Sequence, residues 1–164
     1  MVVSDDWLVV VYTDVMTFMP GYHYESVLVE PAFDSTFGRT YAEWSLQRID
    51  VNREVLLGVT ALTTAPRGRD TYENPQSRMF NCFNSNIHPS GSASASWNGR
   101  GRQMRQGDRV GLLVEGGRVW VFVNGERIGG GAMAEDLPRR LCFLAVLGCF
   151  QNCLQLVVGA TPPE

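Results

Sequence analysis

The chain has little positive charge, little histidine and no long apolar run. Fourteen Lys and Arg stand against 17 Asp and Glu, a net charge of −3. With no basic field to collect phosphates, nucleic acid is not expected as a partner. No apolar stretch approaches the ~18 residues that a membrane span requires, so no membrane partner is expected either. The opening MVVSDDW has no basic flank, and no secretory signal is read there. There are two histidines, His23 and His88, and no Cys-x-x-Cys pair. Neither a metal site nor a cofactor is expected. Catalytic patterns are missing as well. There is no Gly-x-Ser-x-Gly, and neither histidine has a motif around it. Glycoside hydrolysis needs two carboxylates held at a set separation. No strand carries Glu-x-Asp-x-Glu, and Glu135 and Asp136 are adjacent, so they point apart in an extended chain. The chain is therefore read as no enzyme. The four cysteines, Cys82, Cys142, Cys149 and Cys153, allow two disulfides by count alone. Three of them lie in or beside apolar strand-like runs, so buried reduced thiols are expected, in an intracellular, cytoplasmic protein.

What is present is β-strand chemistry. The 164 residues fit one domain, which at this size buries roughly 70% of its unfolded surface. The clearest stretch is GDRVGLLVEGGRVWVFVNGERIG at 107–129. Three apolar runs are joined there by Gly116-Gly117 and Asn124-Gly125. Asn-Gly between apolar runs signals a type I′ turn, which needs positive φ at both central residues. The spacing predicts a three-strand antiparallel meander. Residues 119–123 are apolar throughout, which predicts a strand covered on both faces. Residues 7–12 predict a first strand, and 26–29 a second that Pro31 stops, with 33–38 a polar loop. In 40–49, Ala42, Trp44 and Leu46 alternate with Glu43, Ser45 and Gln47, so one face is buried. VLLGVTAL at 55–62 predicts a core strand in which Gly58 marks a bulge or a close backbone approach. Further strands are predicted at 79–83, 141–147 and 153–158. Residues 129–131 read as a flexible corner, 84–99 as a flexible loop, and 133–137 as one helical turn. Trp44 and Trp120 read as core, and Trp97 as a loop anchor. Nine or ten strands with frequent turns and no long helix predict an all-β sandwich of two antiparallel sheets.

The ordered segments resemble those of the SPRY (B30.2) domain family. TYAEWSL (40–46) is similar to its aromatic-x-Glu-aromatic strand, and REVLLGV (53–59) to the strand that ends in Gly-Val. GDRVGLLVE (107–115) resembles its Gly-Asp-x-Val-Gly strand. VWVFVNGERIG (119–129) resembles its Phe-x-x-Asn-Gly hairpin, and LPRRLCFLAV (137–146) its Leu-Pro segment. The resemblance is strongest over 40–158. It implies a bent, concanavalin-like β-sandwich spanning 1–164. It also implies a module within a larger protein that binds a peptide or a loop of another protein at the loops of one end.

Two loops attract attention as the binding surface. The long polar loop over 63–78 holds Arg67, Arg69, Asp70, Tyr72, Asn74 and Arg78. Tyr and Arg are enriched at binding hot spots, and arginine's fork suits acidic or amide groups. Phe150 and Gln151 lie in the turn before the last strand, where the family often places an aromatic on its binding face. Asn84, Asn86 and His88 lie in the loop after 79–83. Residues 84–98 make a smaller contribution to the surface, Asn86 among them, and His88 reads as solvated. Loops 63–78 and 148–152 are thus expected to form one pocket. A solvated connector is the plain alternative for the first loop, and a Phe folded onto the core for the second. A glycan-binding lectin and a bracing scaffold domain are the rival functions. A scaffold would show its apolar patch on a sheet face, and a recognition module on the loop end.

Overall fold

A computed structural model describes residues 9–11, 24–49, 54–64, 73–99, 102–148 and 152–164. Eleven strands are described: β1 Val9–Val11, β2 Glu25–Asp34, β3 Arg39–Arg48, β4 Val55–Thr60, β5 Ser77–Asn81, β6 Ile87–His88, β7 Arg109–Glu115, β8 Arg118–Val123, β9 Glu126–Ile128, β10 Arg140–Leu147 and β11 Cys153–Leu156. They form two antiparallel sheets. One has six strands in the order β1-β11-β3-β7-β8-β9, and the other five in the order β2-β10-β4-β5-β6.

The meander is the one the glycine-bearing turns predict. Asn124 and Gly125 have φ of 53° and 82°, and Gly116 and Gly117 have 57° and 72°. Two positive-φ residues in succession twist the flanking strands in register. The pairs Val114–Val119 and Val123–Glu126 flank those turns.

The core lies between the sheets. Trp44 and Leu46 of β3, Val110 and Leu112 of β7 and the three valines of β8 face Leu57 and Val59 of β4, Phe80 of β5 and Phe143 of β10. Trp44 meets Phe143 edge-on, with ring centroids 5.9 Å apart. The outer face of the five-stranded sheet is also buried. Leu56, Met79, Leu144, Val146 and Tyr24 form a second apolar cluster there. β4 and β10 are therefore enclosed on both faces, which explains why VLLGV and LCFLAVL do not alternate.

Several expectations need correction. β2 runs through Pro31 to Asp34, taking in Phe33, which the sequence assigned to a loop. It can do so because β2 is an edge strand of its sheet. Its register against β10 also shifts between Leu141 and Phe143, so no ladder N–H is required at the proline. Residues 133–137 form no helical turn. Ala134 makes a bridge to Val119, and the Met133 N–H donates to the Val119 carbonyl at 2.7 Å. The segment stays extended because Met133, Ala134 and Leu137 are all drawn into the core. Trp120 is half-buried rather than core, because the inward positions of β8 belong to Val119, Val121 and Val123.

The loop over 84–99 is tied down, not loose. The Ser94 N–H donates to the Met133 carbonyl at 3.0 Å, its hydroxyl to the Ala132 carbonyl, and the Gly130 N–H to the Asn98 side chain. Trp97 is buried against Phe80, as a loop anchor would be. Its ring lies where a Cβ on Gly99 or Gly129 would stand. The three described cysteines are unpaired: Cys82 and Cys142 are buried and Cys153 is half-buried. Cys149 lies outside the described residues.

Gly58 shows the close approach that its place in a core strand suggests. A Cβ there would stand 2.1 Å from the Arg78 carbonyl oxygen and 2.5 Å from the Met79 sulfur. Gly58→Ala should therefore destabilise the domain by about 1–3 kcal/mol, through overpacking. Urea unfolding checks this, and an unchanged midpoint would contradict such tight packing.

Candidate functional site

The register of β4 against β10 defines the two ends of the sandwich. Val55 pairs with Leu147, and Thr60 with Cys142. The β4–β5 loop leaves beside Thr60 and the β10–β11 loop beside Leu147. At roughly 3.4 Å per residue these exits are about 17 Å apart. Loops 63–78 and 148–152 thus leave from opposite ends and are not anchored around one shared pocket. Asn74 and Arg78 belong to the first end, and Asn84 and Asn86 to the second. Arg67, Arg69, Asp70, Tyr72, Phe150 and Gln151 lie outside the described residues.

At the first end, charges pair with one another. The Asp34 carboxylate accepts from the Thr36 hydroxyl at 2.6 Å and from the Arg139 guanidinium at 2.7 Å. These bonds, the Thr36 hydroxyl foremost, hold its pKa down at about 2. Arg39 pairs with Glu115 and Arg118 with Glu135, both at 3.7 Å. Arg78 donates from one nitrogen to the carbonyls of Pro75 and Ser77, each at 2.7 Å, and so braces its own loop. The Asn74 side-chain oxygen accepts from the Gln76 N–H at 2.9 Å, a local turn of the Asx kind. Phe37 stands 82% exposed at the β2–β3 turn.

The second end is organised by Glu54, the residue immediately before β4. Its carboxylate accepts from the Tyr24 hydroxyl at 2.6 Å and from the Asn81 amide at 3.1 Å. Its backbone carbonyl accepts from the Gly148 N–H at 2.8 Å, with the Asn152 amide 3.5 Å away. Gly148 has to be small. A Cβ there would stand 2.9 Å from both the Glu54 carbonyl oxygen and the Tyr24 ring. One residue thus joins the entry to β2, the start of β4, the end of β5 and both anchors of the β10–β11 loop.

Asn81 passes this order on to the turn that follows it. It is fully buried, and its side-chain oxygen accepts from the Phe83 N–H at 2.8 Å. The Ser85 N–H donates to the Asn81 carbonyl at 2.8 Å, and the Asn81 N–H to the Asn86 carbonyl at 2.9 Å. Ser85 has a φ of 58°, a left-handed conformation that its contacts enforce. It is fully buried, and its hydroxyl donates to the Arg102 carbonyl. The Asn84 side chain accepts from the Asn86 N–H at 2.9 Å. The Met104 N–H donates to the Cys82 carbonyl at 2.9 Å, which lays the strip 102–105 beside the turn. Burial, with Asp108 adding to it, pushes the Cys82 thiol far up and leaves it unreactive. The outcome is a rigid platform. It presents Phe83, 40% exposed, with Asn86 exposed and Asn84 half-buried.

No family model and no curated protein matches the sequence. Solved structures do match. The SPRY domain of human HERC1 superposes with a TM-score of 0.70 at 11% identity, over 98% of this chain and 94% of that one. A human SPRY domain gives 0.68 at 16% identity, over 98% and 96%. The fold is that of a SPRY domain. The PSpry domain of TRIM65 is a more distant match, at 0.53 and 13% identity over 80% of this chain and 68% of that one.

In the SPRY fold of this chain the segments that carried the resemblance are real elements. TYAEWSL lies within β3, GDRVGLLVE leads through β7, and LPRRLCFLAV enters β10. REVLLGV places Glu54 at the mouth of β4. Among the described residues no group of three or more His, Cys, Asp or Glu could hold a metal. Among them, too, no helix is long and apolar enough to cross a membrane.

Sequence reading missed Phe83, Glu54 and the arginines of 102–105. Phe83 ended a predicted strand, and only the buried Asn81 and Ser85 turn it outward. The arginines had a signal, since GRGRQMRQGDR places Arg100, Arg102, Arg105 and Arg109 within ten residues. Removing the organiser should be felt at once. Glu54→Ala leaves the buried Asn81 amide without its acceptor and should cost about 1–3 kcal/mol. Chemical denaturation measures this, and a stability equal to wild type would contradict the organising role of Glu54.

Proposed function

We propose that this chain is a non-catalytic protein-interaction module that receives a short segment or loop of a partner protein at the Glu54 end. The observation that carries the reading is the platform over 82–86. It holds an aromatic ring outward on a turn whose backbone is fixed by hydrogen bonds on both sides. A prealigned anchor loses little conformational entropy on binding, which is what makes such a residue effective. The SPRY fold supports an interaction role, since its two sheets are filled with apolar side chains and leave the loops free to vary. Asn84 and Asn86 supply adaptable hydrogen bonding next to the ring. The 148–152 loop, anchored by Gly148 and Asn152, borders the same end. Phe150 and Gln151 belong in sequence to that loop, whereas loop 63–78, whose described residues include Asn74 and Arg78, is anchored at the other end. The three unpaired cysteines support a reducing, cytoplasmic setting. The module is read as one part of a larger protein.

A scaffold role has one observation in its favour. Tyr41, Leu113 and Trp120 form a cross-strand row on the outer face of the six-stranded sheet, with Trp120 and Tyr41 half-buried. The two readings part on substitution. Phe83→Ala should lower recovery of a partner from source-cell extract by about tenfold or more, at an unchanged thermal midpoint. Trp120→Ala should leave recovery intact. The reverse pattern would move the interface to the sheet face.

A further inference from the structure

Among the described residues of the Glu54 end, the carboxylates of Glu54 and Asp108 are engaged in hydrogen bonds, whereas Arg102 and Arg105 are exposed. Glu54 engages Tyr24 with one oxygen and Asn81 with the other. Asp108 accepts from the Arg105 N–H at 2.8 Å with one oxygen and from the Asn124 amide at 2.9 Å with the other. Arg102 and Arg105 are exposed. Among the described residues neither has an ion-pair partner, although Arg39, Arg109, Arg118 and Arg139 each have one. Both sit on the strip that hydrogen bonds hold against the Phe83 turn, through Ser85 to the Arg102 carbonyl and through Met104 to Cys82. Met104 is buried, so its side chain fixes the strip while those of Arg102 and Arg105 reach solvent. Arg48, at the end of β3, is exposed at the same end. Glu126, on the β8–β9 hairpin, is an exposed carboxylate.

We infer that the partner segment is acidic: an extended stretch with an apolar side chain that packs on Phe83 and Asp or Glu residues that meet Arg102 and Arg105. The inference rests on the binding role proposed above and names the chemistry of what is bound. A guanidinium with no ion-pair partner gains most from a carboxylate, which it can hold with two parallel bonds. The chain as a whole is negative, with a net charge of −3, so an acidic partner is drawn to this end in preference to the rest of the surface. That makes the arginines a steering device as well as a contact. A nucleic acid would meet the same overall repulsion over a much longer span of phosphates.

The test is selection of a random peptide library displayed on phage, with the full chain as bait. Wild type, Phe83→Ala and Arg102→Glu/Arg105→Glu are compared after all three show the same thermal midpoint. Enriched peptides should combine Asp or Glu with a large apolar residue. They should bind the double arginine variant at least about tenfold more weakly, and their affinity for wild type should fall as salt rises. Peptides that need Phe83 but carry no acidic bias would overturn this inference and leave the binding role standing. Peptides indifferent to Phe83 and to both arginines, or no enrichment at all, would overturn both. A labelled single-stranded oligonucleotide serves as the second probe. If it binds wild type and is lost with the arginine variant, the arginines belong to nucleic acid and the inference fails.

Discussion

The end of the sandwich assigned to recognition depends on where Glu54 stands, and that is set by burial. Every residue of β4 is buried, so the strand cannot slide or turn without exposing one face or the other. Glu54 is the last residue before this enclosed run. Its carboxylate is held at the rim of the core, deep enough to meet Asn81. A carboxylate that accepts two hydrogen bonds at a sheet rim orders its donors, and the buried Asn81 amide would lose this acceptor without it. From that fixed point the order spreads to the Phe83 turn through Asn81 and to the β10–β11 loop through the Glu54 carbonyl.

The two ends have used their charges in opposite ways. Around Asp34 most acids and bases satisfy each other across strands, so that end presents neutralised pairs and an exposed Phe37. Such exposed pairs add little stability individually, but they leave few donors for a partner. Around Glu54, among the described residues, the Glu54 and Asp108 carboxylates are engaged with a phenol and with N–H groups, while Arg102 and Arg105 have no ion-pair partner. The difference is one of pairing rather than of composition, since both ends contain acids and bases. It gives the module a direction.

Much of the fold was legible in the sequence, for reasons that can be named. Asn124-Gly125 and Gly116-Gly117 admit few backbones other than the turns they form, so the meander could be read directly. Trp44 and Leu46 alternate with polar residues and thereby declare a one-sided strand. What failed was local. Pro31 is tolerated because β2 lies at an edge, and edges are not visible in a sequence. Met133, Ala134 and Leu137 favour a helix on their own and are pulled straight by the core. Trp120 lies in an apolar run, but the valines beside it take the inward positions. The site was less legible than the fold. Asn86 lies on the platform, yet Phe83 looked like the end of a strand. Arg78 looked free, but it is committed to its own backbone. That the two loops leave from opposite ends follows only from the β4–β10 register, which no spacing within either loop encodes.

Site-specific photocrosslinking bears most directly on recognition at the Glu54 end. A benzophenone amino acid is placed at Asn84 in one protein and at Phe37 in another, and each is irradiated in source-cell extract. A discrete covalent adduct is expected from position 84 and none from position 37. An adduct from position 37 alone would assign recognition to the Asp34 end and contradict a binding surface built on Glu54, Phe83 and the arginines beside them.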